Sequence, residues 1–189
     1  LVSCGTTGES ATLSEKEYEE VLAAGAEAAG GRVPFIAGTG SNDTAKAIAH
    51  TKKAAALGAD AALVVTPYYN KATQKGLAAS FFAIADSSPI PLILYNVPSR
   101  TGVNIAPETY AALAKHPNIN GVKEASGNLG AIQKTVKLCP EDFFVWSGND
   151  DQVVPMMALG AKGVISVASN LIPEVMVKMT CLLYTSDAA

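Results

Sequence analysis

The sequence predicts an α/β protein built on a parallel sheet, and three observations lead there. Short runs rich in Val, Ile, Leu and Phe alternate with longer segments of helical periodicity. Most of those runs are apolar throughout rather than at every second residue, as expected of strands covered on both faces. Their ends recur at intervals of roughly 20 to 33 residues, the period of a β/α unit.

The strand runs are "LVSC" (1–4), "VPFIAG" (33–38), "AALVVT" (61–66), "PLILYN" (91–96), "INGVKE" (119–124), "FFVWSG" (143–148) and "GVISV" (163–167). Helical signals lie between them. "SEKEYEEVLAAGAEAAGG" opens with Ser14 and Glu17 spaced as a capping box and closes on a glycine pair. "NDTAKAIAHTKKAAALG" starts with Asn and Asp caps and stops at Gly58, and "PETYAALAK" puts Pro107 in a first helical turn.

Two architectures suit this pattern, a closed (β/α)₈ TIM barrel and an open doubly wound sheet. A barrel takes ~250 residues, whereas the chain has 189. Read as a barrel it is incomplete, without its first β/α unit and without whatever follows the eighth strand. The expected organisation is a partial barrel catalytic domain over residues 1–180. Residues 181–189, "CLLYTSDAA", break the helical pattern of "LIPEVMVKMT" and read as one frame of a transposon-end adapter, so a non-native tail is expected there.

Composition narrows the function. The chain is 49% hydrophobic and 16% charged, with 14 Lys and Arg against 17 Asp and Glu, which argues for a soluble globular protein and against nucleic-acid binding. No apolar run approaches the ~18 residues of a membrane span, and no leader peptide is read at the start. Cys4, Cys139 and Cys181 are isolated, and His50 and His116 stand far apart. That spacing predicts a reducing compartment and no metal.

The polar residues of interest follow the carboxyl ends of strands, where barrel active sites lie. "GTTGES" (5–10) offers Thr6 and Thr7 in a turn that could receive a carboxylate or phosphate, although Gly-Thr turns are common. "VTPYYN" (65–70) carries Tyr69, and "LYNVPSRTG" (94–102) carries Tyr95 and Arg100. Adjacent tyrosines usually pack and loop arginines usually face solvent, but arginine is also the usual partner of a carboxylate. In "INGVKE", a period of two puts Ile119, Gly121 and Lys123 on one face, opposite Val122 and Glu124. If that face points into a barrel, burial lowers the amine's pKa, and only a neutral amine attacks a carbonyl. Gly148 and Ile165 close two later strands on the same side. An amine, phenols, a hydroxyl and carboxylate receptors together describe a keto-acid site of Schiff-base aldolase type.

"GTTGES", "TPYYN", "LYNVPSRTG", "GVKEASGN" and "GVISV" stand in the order and spacing of the 4-hydroxy-tetrahydrodipicolinate synthases, also called dihydrodipicolinate synthases, which the chain resembles from residue 1 to about 180. The resemblance implies a (β/α)₈ barrel with a C-terminal helical domain, working in the cytoplasm in lysine and diaminopimelate biosynthesis with no cofactor. It implies that pyruvate forms an imine with Lys123 and condenses with aspartate semialdehyde. Tyr95, Thr6 and Tyr69 match a proton relay in which Tyr69 is supplied across a tight dimer interface, so a homodimer or homotetramer is expected. Thr7 matches a contact to the pyruvate carboxylate, Arg100 one to the second carboxylate, and Gly148 and Ile165 match backbone positions lining the pocket. At the family's lysine-feedback site, Ser10, Ala11, Asn42 and Tyr68 match the sensitive pattern. Glu15, Tyr18 and Lys46 depart from it, so weak inhibition by lysine is expected.

Two rival readings remain. A sister aldolase, such as N-acetylneuraminate lyase or a 2-keto-3-deoxy sugar acid aldolase, shares the lysine and the tyrosine of the fifth strand but typically lacks the second tyrosine of "PYYN" and the "SRTG" arginine. A non-catalytic phosphate-binding α/β module would rest on "GTTGES" and "GTGSND", neither of which completes a nucleotide fingerprint.

Overall fold

The computed structural model describes residues 1–185. Six strands pair in parallel in chain order: β1 Val2–Ser3, β2 Ile36–Gly38, β3 Ala61–Val65, β4 Leu92–Asn96, β5 Ile119–Glu124 and β6 Phe144–Ser147. Each strand lies beside the one before it, and the order nowhere reverses. This winding belongs to the (β/α)₈ barrel and rules out a doubly wound sheet, whose order turns back at a switch point.

The intervening helices are α1 Glu15–Ala29, α2 Thr44–Ala56, α3 Gln74–Ser87, α4 Pro98–Thr101, α5 Pro107–Leu113, α6 Leu129–Leu138, α7 Val153–Ala158 and α8 Pro173–Thr185. The capping box forms as the sequence predicts: the Glu17 N–H donates to Ser14 Oγ at 3.3 Å, and the Ser14 N–H donates to Glu17 Oε2 at 2.8 Å. Asp43 caps α2 by accepting from the Ala45 N–H at 2.9 Å. Pro107 begins α5, as expected.

Alternation along the strands separates two apolar layers. Val64, Leu92, Leu94, Val122 and Val145 face the helices and meet Leu77, Phe81, Tyr110, Leu113 and Ile132. Leu63, Ile93 and Tyr95 face the other way, with Trp146 packed against them. Lys123 pairs with Tyr95 on one side and Trp146 on the other, which places it on this inner face.

Three expectations need correction. Ile119 does not share the face of Lys123. It packs in the helix-side layer with Val122, because the β4–β5 register slips by one residue between Leu92↔Ile119 and Ile93↔Gly121, leaving exposed Asn120 as an extra residue. "GVISV" is not a full strand. It lies along β6, where the Ile165 N–H donates to Ser147 O at 2.9 Å, but only Ser147 and Val164 bridge. Gly163 takes a φ of 133°, and the chain bends into a helical conformation at Val167, so the extended part is short. Finally, the helical break expected at Cys181 is not seen, since α8 continues to Thr185. Residues 186–189 of the predicted tail lie outside the described residues. No helix among the described residues is long and apolar enough to cross a membrane.

Candidate active site

At the carboxyl ends of the strands lies a cleft of about 580 Å³, lined by Thr6, Thr7, Tyr95, Arg100, Lys123 and Gly148, among others. Lys123 is only 8% exposed at the end of β5. Its Nζ stands 4.4 Å from the centroid of the Tyr95 ring, over the face of that ring. Burial lowers the Lys123 pKa from the usual lysine value, and the Asp150 carboxylate pulls part of the way back. The net effect enlarges the neutral fraction of the amine near neutral pH, which is the state that acts as a nucleophile.

Tyr95 is buried at the end of β4, and its pKa is raised by burial, with the Arg100 guanidinium opposing. Its phenol therefore keeps its proton and can donate it. Arg100 comes from the short helix α4, whose first residue is Pro98, and its side chain reaches the same cleft. Thr6 and Thr7 are exposed in a 3-10 turn, Thr6–Gly8, that follows β1, where Cys4 and Glu9 both have positive φ. Gly148 closes β6: a Cβ there would lie 3.2 Å from Lys123 Cε and 2.8 Å from Ala125 Cβ, so the absence of a side chain makes room for the amine's stem.

Two predicted site residues stand apart. Ile165 packs against the inner apolar layer beneath the cleft without lining it. Tyr69 is 88% exposed and lines neither this cleft nor its neighbour. Its backbone is held at a φ of 70°, rare for a tyrosine, while its N–H donates to Thr101 O at 3.3 Å.

The cleft also contains residues the sequence reading passed over. Asn149, Asp150 and Asp151 follow Gly148 into it. Asp150 Oδ2 accepts from the Val167 and Ala168 N–H groups at 3.1 and 2.9 Å, which ties the end of "GVISV" to the β6 loop. The doubled acid after a strand-ending glycine was a visible signal.

A second cleft of about 460 Å³ adjoins the first, sharing Thr6, Val97 and Arg100. Glu15, Tyr18, Lys46 and His50 line it. Glu15 Oε1 lies 3.6 Å from Lys46 Nζ and 3.3 Å from His50 Nε2, and Tyr18 stacks on His50 with ring centroids 4.7 Å apart. Contact with His50, and secondarily with Lys46, holds the Glu15 carboxyl below the usual range. Among the described residues, no group of three or more His, Cys, Asp or Glu could hold a metal ion.

Comparison with known proteins gives one answer. The model of the Dihydrodipicolinate synthetase family matches residues 1–189. The 4-hydroxy-tetrahydrodipicolinate synthase of Exiguobacterium sp. (strain ATCC BAA-1283 / AT1b) is 56% identical over 187 residues, 99% of this chain and 64% of the relative. Among solved structures, the chloride-inhibited dihydrodipicolinate synthase of Acinetobacter baumannii complexed with pyruvate superposes with a TM-score of 0.95 at 46% identity, covering 98% of this chain and 64% of that one. The enzyme from Cyanidioschyzon merolae with lysine bound superposes at 0.93 and 44% identity, covering 98% and 63%. The chain thus spans a little under two thirds of the length of the relatives it matches.

Proposed function

This chain belongs to the Dihydrodipicolinate synthetase family, and from that premise we propose that its cleft condenses pyruvate with aspartate semialdehyde through an imine on Lys123. The observation that carries the reading is the buried Lys123 amine, its charged form disfavoured, set against the Tyr95 ring in a cleft with Thr6, Thr7 and Arg100. The pyruvate complex of the Acinetobacter relative supports the first substrate.

In the proposed sequence the neutral amine adds to the pyruvate carbonyl, and the carbinolamine loses water to give the imine. A methyl proton leaves to form the enamine, whose carbon attacks the aldehyde. The aldehyde oxygen takes up a proton and becomes the hydroxyl. The amino group of the second substrate then displaces Lys123 from the imine carbon, closing the ring as 4-hydroxy-tetrahydrodipicolinate and freeing the amine. Tyr95, which keeps its proton, is suited to deliver and recover protons at each of these steps, with Thr6 lining the same cleft. Thr7 would hold the pyruvate carboxylate and Arg100 the carboxylate of the semialdehyde, the latter by paired N–H donors. Gly148 would bound the pocket with main chain and small volume, and Ile165 would support it from the apolar layer against which it packs.

Tyr69 fits the relay only if its exposed ring enters the cleft of a second copy. Its exposure and its strained backbone favour that arrangement, and with it a homo-oligomer.

The test is direct. Incubation with pyruvate followed by borohydride should leave one reduced pyruvyl group, mapped by peptide mass spectrometry to Lys123. A folded protein with no adduct would remove the reading and favour a binding module. Aldehyde preference separates the sister aldolases, which would take N-acetylmannosamine or a sugar aldehyde over aspartate semialdehyde. Within this reading, Gly148→Ala should slow adduct formation by about 100-fold, the scale expected when a reacting group is displaced by ~1 Å. An unchanged rate would show that the Lys123 stem is not confined by Gly148.

Lysine sensitivity gives a second expectation. The Cyanidioschyzon relative binds lysine, but in the adjoining cleft of this chain Glu15 already has two partners, the Lys46 ammonium and the His50 ring. A ligand ammonium entering there meets Lys46. A like charge at ~4 Å costs about 1 kcal/mol in bulk water and more near a protein surface, so affinity should be weaker by about 10-fold or more than with an acid at that position. Half-inhibition at micromolar lysine in a steady-state titration would contradict this, and Lys46→Glu should restore sensitivity.

A further inference from the structure

Directly behind Lys123 lies a carboxylate that the reaction does not use. Glu124, the next residue of β5, is 4% exposed, and its side chain lies on the helix side of the sheet beside Tyr110. None of the ion pairs among the described residues includes it. Neutral donors hold it instead. The Asn96 side-chain amide donates to both oxygens at 3.1 Å, the Tyr110 hydroxyl donates at 2.7 Å, and the Ser126 N–H donates at 2.7 Å. Burying a carboxylate without a cation is costly unless its lone pairs are filled, and here donors from β4, α5 and the loop after β5 fill them. Asn96 is itself fixed, since its Oδ1 accepts from the Ile105 N–H at 3.1 Å and its amide also donates to Asn104 Oδ1 at 2.8 Å.

The position of this network in the sheet suggests what it does. Asn96 and Glu124 are register partners, and one step earlier so are Tyr95 and Lys123. The same two strand ends therefore carry the amine and phenol on one face and the hydrogen-bonded pair on the other. A pair of apolar side chains would fill the space at least as well. Hydrogen bonds, however, impose direction, and a carboxylate with four of them allows the two strand ends little rotation.

We propose that Glu124 is a positioning residue, tying the ends of β4 and β5 together from behind so that the Lys123 amine and the Tyr95 phenol stay aligned in the cleft. This rests on the imine reading above.

The test is a double-mutant cycle on the rate at which the borohydride-reducible pyruvate adduct forms at Lys123. Glu124→Ala is expected to slow it by about 100-fold, the scale of a ~1 Å misplacement. Glu124→Gln keeps one acceptor oxygen and lets the Tyr110 hydroxyl turn to accept, so it should recover to within about 10-fold of the unsubstituted protein. Tyr95→Phe should cost much less in the Glu124→Ala background than alone, because the phenol is then already out of place. A purely structural Glu124 would give losses that multiply. Multiplying losses, or a Glu124→Ala protein with the unsubstituted rate, overturn the proposal. Should Glu124→Ala not fold, Tyr110→Phe removes one donor while keeping the ring, and takes its place in the cycle under the same criterion. An unsubstituted protein that forms no adduct overturns the imine reading and this inference with it. An unsubstituted protein that does form one leaves the cycle to decide this inference alone.

Discussion

Replacing Lys123 by alanine is expected to remove the trapped pyruvate adduct and to lower the condensation rate by more than about 10⁴-fold, as loss of a covalent nucleophile does. Lys123→Arg should fail as completely, because a guanidinium stays charged and cannot attack a carbonyl. Stability should move the other way. Burial disfavours the ammonium, so the folded pKa lies below the usual 10.5 of the unfolded chain. Between those two values the unfolded chain binds more protons, and stability rises with pH across that window. Below the folded pKa both states are protonated and the whole cost of the buried charge remains. Lys123→Met removes that cost, so it should melt at a higher temperature than the unsubstituted protein at pH 7 while being inactive. The same depression should bring the rise of the imine-formation rate with pH to an apparent pKa below 10.5. A Lys123→Ala protein that still traps pyruvate at the normal rate would show that the nucleophile is elsewhere.

The second large effect is expected at Gly121. A Cβ there would lie 2.2 Å from Phe144 O and 2.7 Å from Trp146 Cζ3. The indole can turn aside. The carbonyl cannot, because it belongs to the main chain of a paired strand, Gly121 being the register partner of Phe144. Gly121→Ala must therefore part β5 from β6, and the expected loss is about 3 kcal/mol or more, at the upper end of overpacking effects. It would appear as a lower urea midpoint with an unchanged slope. Because Lys123 stands on β5 and Gly148 directly follows β6, adduct formation should fall as well. A variant within about 0.5 kcal/mol of the unsubstituted protein, the range of ordinary surface changes, would mean that the ladder has slack where the geometry shows none.

Local chemistry made much of this protein legible in advance. Ser14, Asp43 and Pro107 announce helix starts through groups that act within a few residues, and all three act as read. Lys123 was legible because an ammonium at the end of an apolar run has no structural reason to be there. What could not be read depends on partners distant in the chain. Tyr110 meets Glu124 across 14 residues and Asn96 meets it across 28, so the glutamate could be assigned a face but not a network. Ile119 was assigned the wrong face, because a period-two rule cannot register a slip set by the neighbouring strand. Tyr69 was singled out only through resemblance: its ring is exposed to solvent within one chain, and nothing in its spacing marks it for a site.

The slip at Asn120 carries a consequence for how this strand tolerates change over time. From Gly121 onward β5 alternates without fault up to the amine, and the extra residue sits on the far side of that run, exposed. The face that Lys123 presents is therefore counted backward from the anchored end at Glu124, not forward from where the strand begins. Loss of Asn120 would leave a regular ladder with the amine facing the same way. Losses or gains of length at the base of the strand are thus invisible at its tip, whereas a single residue gained between Lys123 and Glu124 would turn the amine to the opposite face.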